Sequence, residues 1–298
     1  MTSTAAHGVR LRFGAGLPVI TDGGISSELV RRGFVLPAQL GSAAAVREVP
    51  DMLVEIHAAY VAAGVHIIRA NTARTTPRVL RRVGYEYRAA SLTARAVELA
   101  IQAVQDSALG IAVGGTVMPL EGRENPEGTP EQNVLIDEHG SQAQRIAAAG
   151  CDLIFIESMP TMREAIAATA AAVSTGLPTY TSFAVGSDNR LLSGEDLPEA
   201  VHAVREVGAE VVLVNGNATM GDCERAAAIV AQGGAAFGAL ADLPPRIGVD
   251  KLVALMQRLV ARGAWIIGGC CNVSPTEIAA ITHAVDPTHG QDIDAESM

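Results

Sequence analysis

Hydrophobic positions along the chain fall into two rhythms. Short apolar runs stand at 17–21, 66–70, 111–115, 153–157, 179–183, 211–214, 235–239 and 265–268. They are strand-sized and rich in Val, Ile, Leu and Ala, and longer segments of helical period separate them. Leu53, Ile56 and Tyr60 share one helix face, as do Val97, Ile101 and Val104, then Met162, Ile166 and Val173, then Leu252, Leu255 and Leu259. Seven joints from helix to strand carry a glycine, at Gly64, Gly110, Gly150, Gly176, Gly208, Gly234 and Gly263. Glycine there closes a helix in the left-handed conformation. Eight strand–helix units predict a single (β/α)8 barrel, the TIM barrel, as one domain over 1–298 with flexible tails at about 1–14 and 287–298. The segment 120–133, rich in Pro, Gly and Glu, is predicted to be a loop over the barrel mouth.

A barrel carries its function at the C-terminal ends of its strands. The residues expected there are Asp22 with Gly23 and Gly24, Asn71 with Thr72, Thr116, Glu157 with Ser158, Ser182, Asn215 with Gly216 and Asn217, Asp242, and Cys270 with Cys271. Two carboxylates and two thiols around one mouth suit an amino-acid substrate, the acids pairing its ammonium and a metal taking its sulfur. Glu157 closes the apolar run Leu153, Ile154, Phe155, Ile156, a costly place for an acid unless something uses it. The bland alternatives are a cap or a pairing with an arginine for Glu157 and a mere turn for Asp22, and for Glu157 the functional reading is preferred.

The run Gly268, Gly269, Cys270, Cys271, Asn272 is the most informative. Ser274, Pro275 and Glu277 behind it have the form of a capped helix start with a capping box. The positive end of a helix dipole favours thiolate over thiol, and thiolates bind zinc. The bland alternative is a pair of buried structural cysteines.

Composition narrows the classes. The chain is 49% hydrophobic, 18% charged and 3% aromatic, with a net charge of −10 that disfavours nucleic acid and anionic membranes. The arginines 74, 78, 81, 82 and 88 form one small basic cluster, which reads as a solvated face. Four cysteines without a regular framework, and no basic–apolar leader, lead to the expectation of a reducing cytoplasm. No apolar run approaches the roughly 20 residues of a membrane span. His57, His66 and His202 fall on helices or at the far end of a strand, which leaves His139 as the one histidine retained as a metal candidate. Neither a phosphate-binding glycine loop nor a nucleophile elbow is present.

Taken in order, Thr21, Asp22, Gly23, Gly24 with Glu28, then Ala63 and Gly64 with Ile67, Ile68, Asn71 and Thr72, then the run from Asp152 to Glu157, Val214 with Asn215, and Gly268 to Cys271 resemble the homocysteine S-methyltransferase family over nearly the whole chain. The resemblance implies a barrel in which three cysteines bind zinc, and zinc holds homocysteine as thiolate for attack on a methyl sulfonium, S-methylmethionine or S-adenosylmethionine, in methionine biosynthesis. Two of those cysteines fall on Cys270 and Cys271, and the family's substrate-holding acids on Asp22 and Glu157. With them the resemblance assigns catalysis to Cys270, Cys271 and Glu157, and substrate binding to Asp22, Gly23, Asn71, Asn215 and Glu157. The expected partners are a small amino-acid thiol and a sulfonium donor, without nucleic acid or membrane, and a homo-oligomer is left open.

Three departures fall at the site. Gly216 stands where the family has its third zinc cysteine, Asn272 where it usually has glycine, and the stretch from Asp242 to Arg246 lacks the usual Pro-Asn-x-Gly. Cys223, seven residues past Gly216, is a weak substitute ligand, and Asn215, Asn217 or water are others. The alternatives are a zinc-free barrel acting on a changed substrate and a non-catalytic binding or regulatory barrel.

Overall fold

A computed structural model describes residues 4–105, 107, 110–215, 219–234 and 236–288. Its strands are β1 (Val19–Ile20), β2 (Ile67–Ala70), β3 (Ala112–Val117), β4 (Leu153–Met159), β5 (Thr179–Phe183), β6 (Val211–Asn215), β7 (Phe237–Ala241) and β8 (Ile266–Gly269). They form one sheet in the order β1-β8-β7-β6-β5-β4-β3-β2, every pairing parallel. A parallel bridge between Thr21 and Ile67 brings β1 to β2 and closes the ring. The fold is the predicted (β/α)8 barrel, and β5 has the predicted bounds. The expected start of the seventh strand, Ala235, lies outside the described residues. No helix among the described residues is long and apolar enough to cross a membrane.

All seven predicted glycine stops have positive φ, from 58° at Gly110 to 106° at Gly208. Six of them stand within three residues of a helix end, whereas Gly110 lies six residues past the helix that ends at Val104, just before β3.

Side chains along each strand alternate between two cores. Ile20, Ile68, Ile154 and Ile156 face the helices, whereas Val19, Ile67, Leu153, Phe155, Val211, Leu213 and Ile266 fill the barrel interior. Continuing the inward parity toward the C-terminal ends reaches Arg69, Glu157 and Asn215. The polar floor of the site is thus set by the same two-residue period that builds the plug beneath it.

The expected flexible tail at 1–14 is corrected over the described part. Thr4–Gly14 is a helix with Ala6 and Val9 buried, and Ala5, Val9 and Phe13 pack onto the interior core. Those three residues repeat every four positions, one stripe of a helix. Arg12 ties the helix to Asp286 at 2.9 Å, and Phe13 meets Trp265 with ring centroids 4.7 Å apart. Residues 1–3 and 289–298 of the expected tails lie outside the described residues.

His57 lies in the helix Pro50–Ala62, fully buried, with neither ring nitrogen partnered among the described residues. Burial lowers its pKa to about 4. The unfolded chain takes up this proton near the ordinary value of 6.5. Between these values the unfolded state binds more protons, so acidification through this window destabilises the fold, and above it the contribution is constant. The full effect is about 3 kcal/mol. His57→Leu should therefore lose less stability than the parent between pH 7 and pH 4.5 in urea unfolding. Equal losses in the two proteins would show that His57 is not buried neutral.

Candidate active site

The mouth holds a cavity of about 300 Å³ whose walls include Gly23, Arg69, Asn71, Arg123, Glu157, Cys270 and Cys271. Gly122, Arg123 and Glu124 of the 120–133 loop supply one side, as expected of a loop over the mouth.

The cysteines enter it because β8 ends in two glycines that tolerate no side chain. A Cβ on Gly268 would stand 2.2 Å from Thr21 Oγ1, and one on Gly269 2.3 Å from Val273 Cγ1. Past the strand, Cys270 N–H donates to Ala241 O at 2.9 Å and Cys271 N–H to Asp242 Oδ1 at 2.9 Å. Asn272 then turns the chain at φ 62°. Asparagine is among the few residues other than glycine that adopt this conformation readily, which accounts for its standing at a family glycine position. The helix Pro275–Val285 follows, with the predicted capping box of Ser274 and Glu277.

Cys271 is exposed and Cys270 partly so. Their sulfurs lie 3.9 Å apart. The hydrogen bond between them, together with burial, pushes the Cys270 thiol well above the usual range. The same bond and the Arg123 guanidinium draw Cys271 below it. Two thiolates on a tetrahedral zinc at about 2.3 Å stand roughly 3.8 Å apart, so the observed spacing fits that ion. Among the described residues, the Asp242 carboxylate is the third group of the cluster, all three ligand atoms lying within 4.8 Å of one another.

Below the cysteines lies a group that the sequence reading overlooked. Arg69, third residue of β2, is buried and spends its guanidinium entirely on protein. Nε donates to Asp22 Oδ1 at 2.6 Å and Nη1 to Glu157 Oε1 at 3.0 Å, while Nη2 donates to the carbonyls of Asp22, Gly23 and Gly269. Its own backbone N–H donates to Asp22 Oδ2 at 2.8 Å. One side chain thus ties together the ends of β1, β4 and β8. A lone arginine among Ile67, Ile68 and Ala70 was the available signal, by the same cost argument applied to Glu157.

The expected substrate residues therefore differ in their freedom. Both Asp22 oxygens are committed to Arg69, and burial, more than offsetting that partner, raises its pKa. Asp22 reaches the cavity only through Arg69. Glu157 stands on the cavity wall with Oε2 free of hydrogen bonds among the described residues. Next to it Ser158 has φ 56°, at a register shift between β4 and β5. Gly23 lines the cavity, and a Cβ there would meet Val273 O at 2.0 Å. The Asn71 amide is pinned by two 2.8 Å bonds with Ser42. Asn215 is fully buried, and neither amide atom has a partner among the described residues. Gly216 and Asn217 lie outside the described residues.

The remaining candidates do not join the cysteine pair. Cys223 is buried in the helix Met220–Gln232, where burial pushes its thiol up to about 12, and the close ligand group contains Asp242 in its place. His139 is buried against Glu164, with Nε2 3.0 Å from Oε1. It lies in the helix Gln132–Ala148 and pairs across to Glu164 of the helix Met162–Val173, away from the cysteines.

The sequence profile of the homocysteine S-methyltransferase family matches residues 19–285. Homocysteine S-methyltransferase 1 of Zea mays is 26% identical, over 90% of this chain and 94% of its own length. Selenocysteine Se-methyltransferase of Brassica oleracea var. italica is 25% identical, over 88% and 87% respectively. The homocysteine methyltransferase MmuM of Escherichia coli, solved in a metallated form, superposes with a TM-score of 0.84 at 22% identity, covering 93% of this chain and 99% of that one. A profile match from the first strand to the last helix, on a barrel of the same shape, makes this chain a member of the homocysteine S-methyltransferase family.

Proposed function

We propose that this methyltransferase moves a methyl group from S-methylmethionine or S-adenosylmethionine to the thiol of homocysteine or a closely related amino acid. The observation that carries the reading is one cavity holding a pair of close thiols and, on the same wall, a carboxylate with one oxygen free. In the reaction the acceptor sulfur forms the new S–CH3 bond. The C–S bond of the sulfonium breaks with its electron pair going to the donor sulfur, which leaves as a neutral thioether.

Zinc held by Cys270 and Cys271, when bound, would supply the positive charge that keeps the acceptor thiol ionised at neutral pH. The chain's own residues bind and orient. Glu157 Oε2 pairs the acceptor ammonium, with Arg69 fixing the other oxygen and Asp22 fixing Arg69. Asn215, whose amide has no partner among the described residues, is assigned to the polar end of the amino acid, since a buried amide left unsatisfied is costly. Gly23 keeps a wall clear, and Asn71, held by Ser42, shapes the opposite side.

The test is methionine formation from homocysteine with each donor by zinc-loaded protein, in the parent and in Glu157→Gln. The parent should turn over with at least one donor. The variant should keep the fold and raise the acceptor KM about 10- to 150-fold, the worth of a charge-assisted hydrogen bond of roughly 1.5–3 kcal/mol. Absence of transfer to any amino-acid thiol or selenol by zinc-loaded parent would overturn the reading. An unchanged KM would remove Glu157 from it.

A further inference from the structure

Two cysteines leave a catalytic zinc one protein ligand short, because such sites take three side chains and keep the fourth position for substrate. Resting on the zinc reading above, we propose that Asp242 supplies the third ligand, so that this chain carries a two-thiolate, one-carboxylate centre.

Topology brings the three together. β7 and β8 are neighbours in register, with Ala241 opposite Gly269. The next residues along each strand, Asp242 and Cys270, therefore leave the sheet side by side. Gly238, whose Cβ would press on Leu213 of the interior core, shares its parity with Asp242 and marks the inward face of β7. The ladder continues past both strands, Cys270 N–H donating to Ala241 O and Leu243 N–H to Cys271 O, each at 2.9 Å. Asp242 is thereby held by backbone on both sides, with its carboxylate and the two sulfurs mutually within 4.8 Å.

The carboxylate is also oriented for ligation. Oδ1 accepts the Cys271 N–H at 2.9 Å. Oδ2 makes only a long ion pair, 3.8 Å from Arg123 Nη1 and beyond hydrogen-bond reach, so it accepts no hydrogen bond from that arginine. A carboxylate steadied by a hydrogen bond to its second oxygen is the usual outer-shell arrangement around metal-bound acids. It carries the same formal charge as the thiolate it would replace, so the charge of the centre is conserved while one soft donor becomes hard. Such a set should bind zinc less tightly than three thiolates and discriminate less against harder divalent ions. Among the described residues no other His, Cys, Asp or Glu joins this group.

X-ray absorption at the zinc edge and competitive zinc titration test this on the full chain. The parent should bind about one zinc with two sulfur and two lighter ligands in the first shell. Asp242→Asn, which keeps an oxygen for the Cys271 N–H, should weaken zinc, and Asp242→Ala should weaken it by at least about 100-fold, the upper range for loss of a supporting contact alone. Asp242→Cys should restore tight binding with three sulfurs in the shell, an outcome that a merely structural role for Asp242 would not produce. Asp242→Ala binding zinc like the parent, or Asp242→Cys still showing two sulfurs, would overturn the assignment and leave the two-thiolate reading standing. Parent protein that binds no zinc would overturn both.

Discussion

Arg69→Met should lower the free energy of unfolding by about 3–5 kcal/mol, the cost of removing one partner from a buried ion pair. Methionine fills much of the space, so the loss is chiefly electrostatic. Without the guanidinium, Asp22 and Glu157 face each other as buried like charges, and the carbonyls of Asp22, Gly23 and Gly269 lose their common donor. Burial already raises the Asp22 pKa with Arg69 present, and removing Arg69 raises it further. A carboxyl whose folded pKa exceeds its unfolded value favours the fold below the unfolded value, and loses that contribution as pH rises through the folded one. The deficit of Arg69→Met relative to the parent should therefore be greatest at neutral pH and shrink on acidification toward pH 4. Adding Asp22→Asn should recover part of it at pH 7. Urea unfolding of the three proteins at both pH values measures this. A deficit below about 1 kcal/mol would mean that Arg69 contributes little more than a surface pair.

Cys270→Ala should cut methyl transfer at pH 7 by at least about 30-fold and change its pH profile. Deprived of the cysteine pair, an acceptor thiol keeps a pKa near 8.5 and is only a few per cent ionised at neutrality. The variant's rate should rise tenfold per pH unit up to roughly that pKa, whereas the parent's should be nearly flat over the same range. Initial rates at saturating donor between pH 6 and 9 measure this. A variant as fast as the parent, with as flat a profile, would take the pair out of the chemistry.

Legibility followed the range of the physics. The glycine stops were readable because left-handed helix ends demand glycine whatever the surroundings. The capping box of Ser274 and Glu277 was readable because its hydrogen bonds span three residues. The helix Thr4–Gly14 escaped because Ala5, Val9 and Phe13 make only a thin apolar stripe. Arg69 escaped although its signal was present, since a single charge in a strand reads as an interruption until its partners are seen. Asn272 stood out as a departure, and only its φ of 62° explained it.

Local sequence by itself determined the barrel, the places of its strands to within about two residues and the ring of described polar residues at their C-terminal ends, because a two-residue period, a helical period and turn chemistry each act over a few neighbours. Tertiary structure alone decided which members of that ring meet. Asp22 and Glu157 were both legible as mouth acids, but the closing of β2 against β1 gave both Asp22 carboxylate oxygens to Arg69 and left Glu157 one oxygen free of hydrogen bonds among the described residues. Asp242 and Cys270 are separated along the chain by a whole helix, and only the register of β7 on β8 sets carboxylate and sulfur side by side. Hydrogen-bond register and the neutralisation of buried charge depend on contacts between distant segments, and those contacts exist only once the ring has closed.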